Sequence, residues 1–311
     1  MTERWTRDRA AEWLPRPGAG DDKYRRGVLG MRTGSAHYPG AAVLGVSAAW
    51  RTGVGMVRYV APTDDSPAPY GLPAPSAAVL AARPETVFGE PGSRPCDAWV
   101  VGSGTDPGRR SPDERTALLE LLRGEAPVVI DAGALDLVTV DGEAGSGAAR
   151  RLTAPTILTP HGGEFERLWE AAGMGGLPEG WDPRGGDPEA RAAAAGRLAE
   201  RLRATVLLKG SITLCVTPNG EHLAAGPATP WLATAGTGDV LGGILGALVA
   251  AHSEAVRRNP ELLGPLGATA ALLHDAAARV AAHDLEATGC GRPIAALDVA
   301  DAIPEAFAAL A

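Results

Sequence analysis

The sequence has few cysteines and no pattern that would pair them. Cys96, Cys215 and Cys290 are the only three in 311 residues, they lie far apart, and none belongs to a C-x-x-C motif. An odd number at this spacing indicates neither a disulfide framework nor a zinc site. We therefore expect a protein of a reducing compartment, the cytoplasm.

Basic charge and long apolar runs are also scarce. The formal net charge is −8, whereas nucleic acids and anionic membranes usually bind a basic patch. The charged N-terminus is not followed by an apolar region, and the apolar run after Asp239 is too short for a membrane-spanning helix. We expect small-molecule ligands, with no nucleic-acid or membrane partner.

Two common nucleotide-binding signatures are missing. The chain has no G-x-x-x-x-G-K-[ST] motif, and no G-x-G-x-x-G motif opens a helix after the first predicted strand. Their absence speaks against P-loop and classical dinucleotide-binding folds. If the protein binds phosphate, another segment has to provide the site.

Residues 232–244, LATAGTGDVLGGI, are the best candidate for such a segment. Glycines before a helix let backbone amides converge, and the helix N-terminus adds partial positive charge, so Gly236, Thr237 and Gly238 would form an anion hole. Asp239 would lie in the first helical turn. A carboxylate beside a phosphate is disfavoured unless it takes a proton or holds a metal. The alternative is that Asp239 only complements the helix dipole.

The remaining chain alternates apolar strands with amphipathic helices, which predicts a mostly parallel sheet covered on both faces. Residues 1–22 are polar and aperiodic and predict a poorly ordered N-terminal arm, and residues 23–311 predict a single domain. A Gly-rich surface loop is expected at 139–149. Expected strands are 27–31, 56–60, 77–80, 98–101, 128–130, 156–159 and 205–208, followed by a hairpin of 212–216 and 222–224. Expected helices are 41–51, 112–123, 188–204, 239–252, 262–284 and 298–310.

Polar groups follow several of these strands, at the edge where ligands bind to parallel sheets. They are the segment 102–104, Asp131, His161 with Glu164, and Lys209 with Thr213 nearby. His161 and Glu164 are three residues apart and could face one ligand or one metal-bound water. Alternatives stay open, since Asp131 can cap a turn and Glu164 can cap the following helix. We assign the other histidines to helix or hairpin surfaces with structural roles: His222, His252, His274 and His283.

Several segments together resemble the ADP-dependent NAD(P)H-hydrate dehydratases, which are ribokinase-like proteins. They are LTPHGGEF at 158–165, LKG at 208–210, ATAGTGDVLGG at 233–243, and the earlier GS at 34–35, YPGAA at 38–42, RTGVG at 51–55 and GSG at 102–104. The resemblance spans about residues 23–284 in the family's order. It implies a three-layer α/β/α fold with a mostly parallel central sheet. It also implies repair of (6S)-NADHX and NADPHX, in which ADP phosphorylates the hydrate hydroxyl and phosphate is then eliminated.

The same resemblance implies roles for individual residues. Asp239 would be the catalytic base, and the Gly236, Thr237 and Gly238 amides would hold the transferring phosphoryl group. Further implied contacts are Ala41, Gly104, His161 and Asp239 for the hydrate, and Lys209, Gly210, Ser211, Ile212, Thr213 and Gly238 for the nucleotide. A Mg²⁺ ion would bridge phosphates, with Glu164 or Asp131 holding it through water. ADP, or ATP in its place, would be the donor, and the assembly would be a homotetramer.

The sequence departs from the family pattern at four positions. Thr33 replaces a glycine, Gly133 replaces a second acid two residues after Asp131, and Ser103 and Gly162 replace prolines. Loss of the second acid puts contacts at that strand end in doubt. Two alternatives therefore stay open: a small-alcohol kinase of the hydroxyethylthiazole or hydroxymethylpyrimidine type, and a nucleotide-binding pseudoenzyme. We expect the N-terminal epimerase domain of some relatives to be absent.

Overall fold

The computed structural model of the chain describes residues 2–63, 68–140, 148–284, 286 and 291–311. Cys290 and most of the loop expected at 139–149 lie outside these residues. Within them, Cys96 and Cys215 are buried free thiols, and no helix is long and apolar enough to cross a membrane.

The described residues form fourteen strands, of which ten make one large sheet. Its strand order is β1-β14-β13-β12-β9-β6-β5-β2-β3-β4, and every neighbouring pair is parallel except the two pairs that contain β13. The strands are β1 (Glu3–Arg4), β2 (Val28–Arg32), β3 (Met56–Tyr59), β4 (Val87–Phe88), β5 (Ala98–Val101), β6 (Val128–Ile130), β7 (Thr139–Val140), β8 (Ala148–Ala149), β9 (Thr156–Leu158), β10 (Trp181–Asp182), β11 (Gly185–Gly186), β12 (Thr205–Leu208), β13 (Thr213–Val216) and β14 (His222–Ala225). The predicted parallel sheet and its antiparallel hairpin are both confirmed.

Ten α-helices accompany the strands in the described residues. They are α1 (Arg7–Ala11), α2 (Pro39–Thr52), α3 (Pro75–Ala82), α4 (Pro112–Arg123), α5 (Gly162–Ala171), α6 (Pro188–Leu202), α7 (Thr237–Ala251), α8 (Ser253–Arg258), α9 (Leu263–Ala282) and α10 (Ala296–Leu310). The strand predicted at 77–80 is wrong, because that segment lies in α3. Pro75 occupies the first turn and alanine has the highest helix propensity, so both favour helix there.

The sheet separates two apolar cores, and this gives the three-layer α/β/α architecture. Leu29 and Val129 point into the core formed with α2, α7, α9 and α10. Val28, Val128 and Ile130 point the other way, into the core formed with α4, α5 and α6. Because side chains alternate along a strand, each central strand contributes to both cores. Burial on both faces explains why the sequences of these strands are continuously apolar.

The N-terminal segment differs from the poorly ordered arm that its composition predicts. β1 pairs in parallel with β14 at the edge of the sheet. The Trp5 side chain is 2% exposed, and its Nε1 donates a hydrogen bond to Thr269 Oγ1 on α9 at 3.1 Å. Ala10 and Leu14 are buried too. The prediction failed because three apolar residues, rather than a periodic pattern, attach this segment to the domain.

Helices α2 and α7 pack closely through glycines. A Cβ atom placed on Gly243 would lie 2.2 Å from the carbonyl oxygen of Gly45. A Cβ atom on Gly45 would lie 3.4 Å from the carbonyl oxygen of Asp239. The second distance is an ordinary contact, so it is the absence of a side chain at Gly243 that allows the backbone-to-backbone approach between the helix that carries Ala41 and the helix that carries Asp239.

Candidate active site

The predicted anion hole forms the start of α7. Gly236 is the N-terminal cap residue and has a left-handed backbone with φ of 87°. This φ favours glycine, and a Cβ atom there would lie 2.6 Å from Leu44 Cδ1, which would have to move. The Thr237 hydroxyl donates to the carbonyl oxygens of Leu232 and Thr234, both at 2.9 Å. The turn is thus fixed, with the Thr237 amide donating to the Thr234 carbonyl oxygen at 3.4 Å and the Asp239 amide to the Gly236 carbonyl oxygen at 3.1 Å. The N-terminus of α7 contributes partial positive charge here.

Asp239 lies in the first turn of α7, as predicted. Burial disfavours its charged form and is the main cause that raises its pKa to about 7, while the negative charge of Asp131 raises it further. The positive charge of Lys209 opposes both effects. A carboxylate with a pKa near neutrality can accept a proton from a hydroxyl and release it again at physiological pH. An acid that only complements the helix dipole does not need a raised pKa.

Lys209, at the end of β12, forms an ion pair with Asp131, at the end of β6. Lys209 Nζ lies 2.8 Å from Asp131 Oδ1, and Asp131 also accepts hydrogen bonds from Thr159 Oγ1 at 2.7 Å and Ser103 Oγ at 3.0 Å. Burial opposes the charged form of Asp131, yet the adjacent Lys209 and these hydrogen bonds lower its pKa. Burial likewise opposes the charge on Lys209, whose pKa is raised by Asp131. The pair is therefore ionised in the folded protein.

Lys209 also lies against the anion hole. A Cβ atom placed on Gly238 would lie 3.8 Å from Lys209 Nζ. The ammonium group and the helix N-terminus therefore present positive charge to the same point. Together they are suited to hold the phosphates of a nucleotide.

His161 and Glu164 form a capping box at the start of α5. The His161 amide donates to Glu164 Oε2 at 2.8 Å, and His161 Nδ1 accepts from the Gly163 and Glu164 amides. Glu164 thus has the capping role that we left open. Its Oε2 also lies 3.8 Å from Lys209 Nζ, so the side chain adds negative charge at the site.

The expected metal contacts were tested against the donors at this edge. Both oxygens of Asp131 are engaged by Lys209, Thr159 and Ser103. No group of three or more His, Cys, Asp or Glu residues that could hold a metal exists among the described residues. The side chains present do not fit a protein-liganded metal centre, and the contacts of Asp131 disfavour it as a direct ligand.

A cleft of about 430 Å³ opens beside the anion hole. Five of the six residues predicted for the nucleotide line it: Lys209, Gly210, Ser211, Thr213 and Gly238. The sixth, Ile212, does not line the cleft and packs against the core under α4, α5 and α6. His161, which we predicted for the hydrate, lines this cleft as well.

A second cavity of about 590 Å³ lies beside α5 and is lined by Tyr38, Thr105, Gly133 and Glu164 among others. Two of the other three residues predicted for the hydrate, Ala41 and Gly104, are in contact with each other, since a Cβ atom on Gly104 would lie 2.3 Å from Ala41 Cβ. Neither Ala41 nor Gly104 lines the cavity itself, although Thr105 follows Gly104 in the chain. The structure brings these two small residues together, while His161 lines the cleft.

Two polar residues that line the cleft, Thr229 and His274, were not predicted from the sequence. We expected His274 on a helix surface, but it is 7% exposed and lines the cleft from α9. The apolar run that precedes it, Ala268–Leu273 but for Thr269, could have indicated a buried helix face. Thr229 lies in an irregular segment before α7 and carries no sequence signal.

Three departures from the family pattern have structural explanations. A Cβ atom on Gly133 would lie 2.2 Å from the Thr105 carbonyl oxygen, so this backbone admits no acid there. A Cβ atom on Gly162 would lie 2.0 Å from the Pro183 carbonyl oxygen. Ser103 uses its hydroxyl to hold Asp131. The replaced acid is therefore excluded by packing, while the Lys209–Asp131 pair is retained.

The comparisons with known proteins agree on one family. A family model described as NAD(P)H-hydrate dehydratase matches residues 29–299. The bifunctional NAD(P)H-hydrate repair enzyme of Mycobacterium tuberculosis is 40% identical over 247 residues, which cover 78% of this chain and 45% of that protein. An ADP-dependent (S)-NAD(P)H-hydrate dehydratase of Neisseria meningitidis is 35% identical, over 72% of this chain and 69% of that protein. The chain spans about half the length of the bifunctional relatives that it matches.

Solved structures share the fold. An ADP/ATP-dependent NAD(P)H-hydrate dehydratase from Bacillus subtilis superposes with a TM-score of 0.75 at 24% identity, over 100% of this chain and 99% of that one. A ribokinase-like superfamily protein from Enterococcus faecalis has the same architecture. The predicted three-layer ribokinase-like fold is thereby confirmed.

Proposed function

This chain belongs to the NAD(P)H-hydrate dehydratase family, and from that premise we propose that it converts (6S)-NADHX and NADPHX to NADH and NADPH with ADP as phosphoryl donor. The reaction is that of a hydro-lyase that repairs nicotinamide nucleotides. The observation that carries the proposal is the joint position of Asp239, Lys209 and the Gly236–Gly238 amides at one edge of the sheet.

The nucleotide binds in the cleft beside the anion hole. The amides of Gly236, Thr237 and Gly238, together with the Lys209 ammonium, hold its phosphates. The 209–213 loop lies along the rest of the nucleotide. Ser211 and Gly210 are exposed there, so the backbone can approach the ligand. The role of Ile212 is limited to packing behind this loop.

Asp239 takes the proton of the hydrate hydroxyl as the terminal phosphoryl group of ADP moves to that oxygen. The bond between the two phosphates of ADP breaks, AMP leaves, and a phosphate ester forms. In the second step the ring nitrogen's electron pair expels phosphate, a ring proton is lost, and the dihydronicotinamide is restored. Positive charge from Lys209 and the helix N-terminus stabilises the phosphoryl oxygens in both steps.

The hydrate occupies the side of Asp239 that faces α2, where Ala41 and Gly104 give a small-residue surface for close backbone approach. His161 lines the cleft and Glu164 lines the second cavity, and in this proposal they position the phosphates. Mg²⁺ would arrive on the nucleotide, supplying charge neutralisation of the phosphates, with Glu164 as an outer contact through water. No step of the mechanism depends on a protein-liganded metal.

The partners follow from this activity. They are NADHX or NADPHX and ADP, with ATP as an alternative donor, and the assembly that we propose is a homotetramer in the cytoplasm. The alcohol-kinase alternative has the same fold, but the family model and the Neisseria relative carry the dehydratase description, and the Mycobacterium relative is described as an NAD(P)H-hydrate repair enzyme. The pseudoenzyme alternative depended on Gly133, and packing against Thr105 accounts for that residue.

An assay with purified hydrated NADH tests the proposal. Addition of ADP and Mg²⁺ should restore the absorbance of the dihydronicotinamide and release one phosphate per turnover, with AMP as the other product. A parallel reaction with ATP identifies the better donor. If neither nucleotide restores the absorbance, and a thiazole or pyrimidine alcohol is phosphorylated instead, the alcohol-kinase alternative is correct.

A further inference from the structure

Two buried polar atoms in the cleft have no hydrogen-bond partner among the described residues. They are Thr229 Oγ1 and His274 Nε2. Thr229 is 2% exposed and His274 is 7% exposed, and both line the cleft beside the anion hole. Because an unpaired buried polar group destabilises a fold, two such groups on residues that line the same cleft are candidate contacts for a ligand bound there.

The protonation state of His274 determines whether the ligand group at this point donates or accepts a hydrogen bond. The imidazole forms a hydrogen bond with the backbone of Thr237. Since Nε2 has no partner, Nδ1 is the nitrogen that donates to the Thr237 carbonyl oxygen. Burial lowers the pKa of His274 to about 4, so the ring is neutral and Nε2 is an acceptor. A ligand group at this point must donate a hydrogen bond.

The two unpaired atoms are held in a fixed relation. The Thr229 amide donates to Asp275 Oδ1 at 2.6 Å, and Arg279 Nε donates to Asp275 Oδ2 at 2.8 Å. Arg279 Nη2 also donates to the Pro227 carbonyl oxygen at 3.1 Å. Asp275 and Arg279 lie on α9, the helix that carries His274. The segment with Thr229 is therefore fixed to that helix, and the pair is preorganised.

We propose that Thr229 and His274 bind the ribose of the nucleotide, with one ribose hydroxyl donating to His274 Nε2 and the Thr229 hydroxyl contacting the neighbouring one. This rests on the proposed function, in which the phosphates lie at Gly238. Thr237, whose carbonyl oxygen holds His274, precedes Gly238 in the chain. The sugar is the part of a nucleotide that adjoins the phosphates, whereas the base lies farther away. The pair is thus a contact for sugar hydroxyls that distinguishes ribonucleotides from deoxyribonucleotides.

Calorimetric titration of the whole protein with MgADP tests the contact from the protein side. Thr229→Val and His274→Leu should each weaken binding about tenfold, equivalent to ~1.4 kcal/mol. Thr33→Val is the matched control, because Thr33 Oγ1 is also buried without a partner among the described residues but does not line the cleft. It should bind MgADP with unchanged affinity. Wild-type affinity in both cleft variants would overturn the proposal.

Titration with modified nucleotides tests the contact without altering the fold. Wild-type protein should bind 2′-deoxy-ADP or 3′-deoxy-ADP about tenfold more weakly than ADP, and His274→Leu should lose this discrimination. Inosine diphosphate, which lacks the exocyclic amine of adenine, should bind as ADP does. Equal binding of ADP and both deoxy analogues overturns the proposal, and weak binding of inosine diphosphate alone assigns His274 to the base instead.

These binding measurements are separate from the dehydratase assay. Ribose discrimination in a protein that does not turn over hydrated NADH would support the sugar contact and contradict the proposed function. Turnover of hydrated NADH without any preference for the ribose hydroxyls would support the proposed function and contradict the sugar contact.

Discussion

Lys209 Nζ lies 2.8 Å from Asp131 Oδ1, and this pair joins the ends of two strands that are far apart in the chain. The Asp131 side chain is 5% exposed and that of Lys209 is 21% exposed. A buried carboxylate is tolerated only because the ammonium and two hydroxyl groups compensate its charge. The same ammonium lies next to Gly238, so one side chain serves both the fold and the candidate anion site.

Replacing Lys209 by methionine should therefore affect stability and nucleotide binding together. Removing one partner of a buried ion pair leaves an uncompensated charge, and we expect a loss of about 3 kcal/mol in the free energy of unfolding. Urea denaturation measures this change. The double variant Lys209→Met with Asp131→Asn should recover most of the stability but not the affinity for MgADP. Recovery of both would mean that Lys209 has only a structural role.

Asp239→Asn should abolish turnover while nucleotide binding is kept. The amide cannot accept the hydroxyl proton, so kcat should fall by about 10²- to 10⁴-fold. Steady-state kinetics with hydrated NADH and titration with MgADP measure the two properties. Asp301→Asn is a suitable control, because that side chain is 51% exposed and pairs with Arg51 and Arg83. A near wild-type rate in Asp239→Asn would show that another group is the base.

The pH dependence of kcat/KM should report the pKa of Asp239. The base acts in its ionised form, so activity should be full above pH 7 and decline as the pH falls through about 7. Asp131→Asn removes a charge that raises this pKa and leaves Lys209, which lowers it. The acidic limb should therefore move to lower pH in that variant. A limb that stays in place would contradict the coupling between the two carboxylates.

Gly236→Ala should damage the anion hole. The residue has φ of 87°, and a Cβ atom there would lie 2.6 Å from Leu44 Cδ1. The backbone must shift, so we expect lower stability and weaker binding of MgADP, measured by thermal unfolding and calorimetry. Gly176→Ala is the matched control, since a Cβ atom there meets nothing within 4 Å. Leu44→Ala should relieve only the steric part of the defect, because the φ angle stays unfavourable.

Trp5→Ala tests the attachment of the N-terminal segment. Loss of a buried tryptophan and its hydrogen bond to Thr269 should lower the free energy of unfolding by about 3 to 5 kcal/mol. Leu297→Ala, at a position that is 46% exposed, should change it by less than about 0.5 kcal/mol. Equal effects of the two substitutions in urea denaturation would show that residues 1–22 contribute little to the fold.

The sequence predicted those parts of the molecule whose signals are local. The apolar strands other than 77–80, the hairpin of 212–216 and 222–224, and the glycines before α7 each determine structure within a few residues, and each was predicted correctly. Long-range relationships were not predictable in this way. The burial of Trp5 against α9, the contact of Gly133 with Thr105 and the position of His274 in the cleft all depend on packing between distant segments.

The candidate site likewise has some features that the sequence predicts and others that depend on packing. The convergence of Asp131, Lys209 and Asp239 follows from the rule that parallel strands end at one edge. The pKa of Asp239 near neutrality does not follow from its sequence neighbours, because it depends on burial and on Asp131. The strand predicted at 77–80 is wrong although its signal is local, because a short apolar run has no period that distinguishes strand from helix.

The glycine contact between α2 and α7 has a consequence for tolerance to mutation. The backbones meet at Gly45 and Gly243 with no side chain between them, so their separation sets the distance from the Asp239 carboxylate to the α2 surface around Ala41. A methyl group at Gly243 would change this distance by roughly the ångström that can cost an enzyme about a hundredfold in rate. Gly243 lines neither the cleft nor the second cavity, yet we expect it to be as intolerant of substitution as the residues that line them.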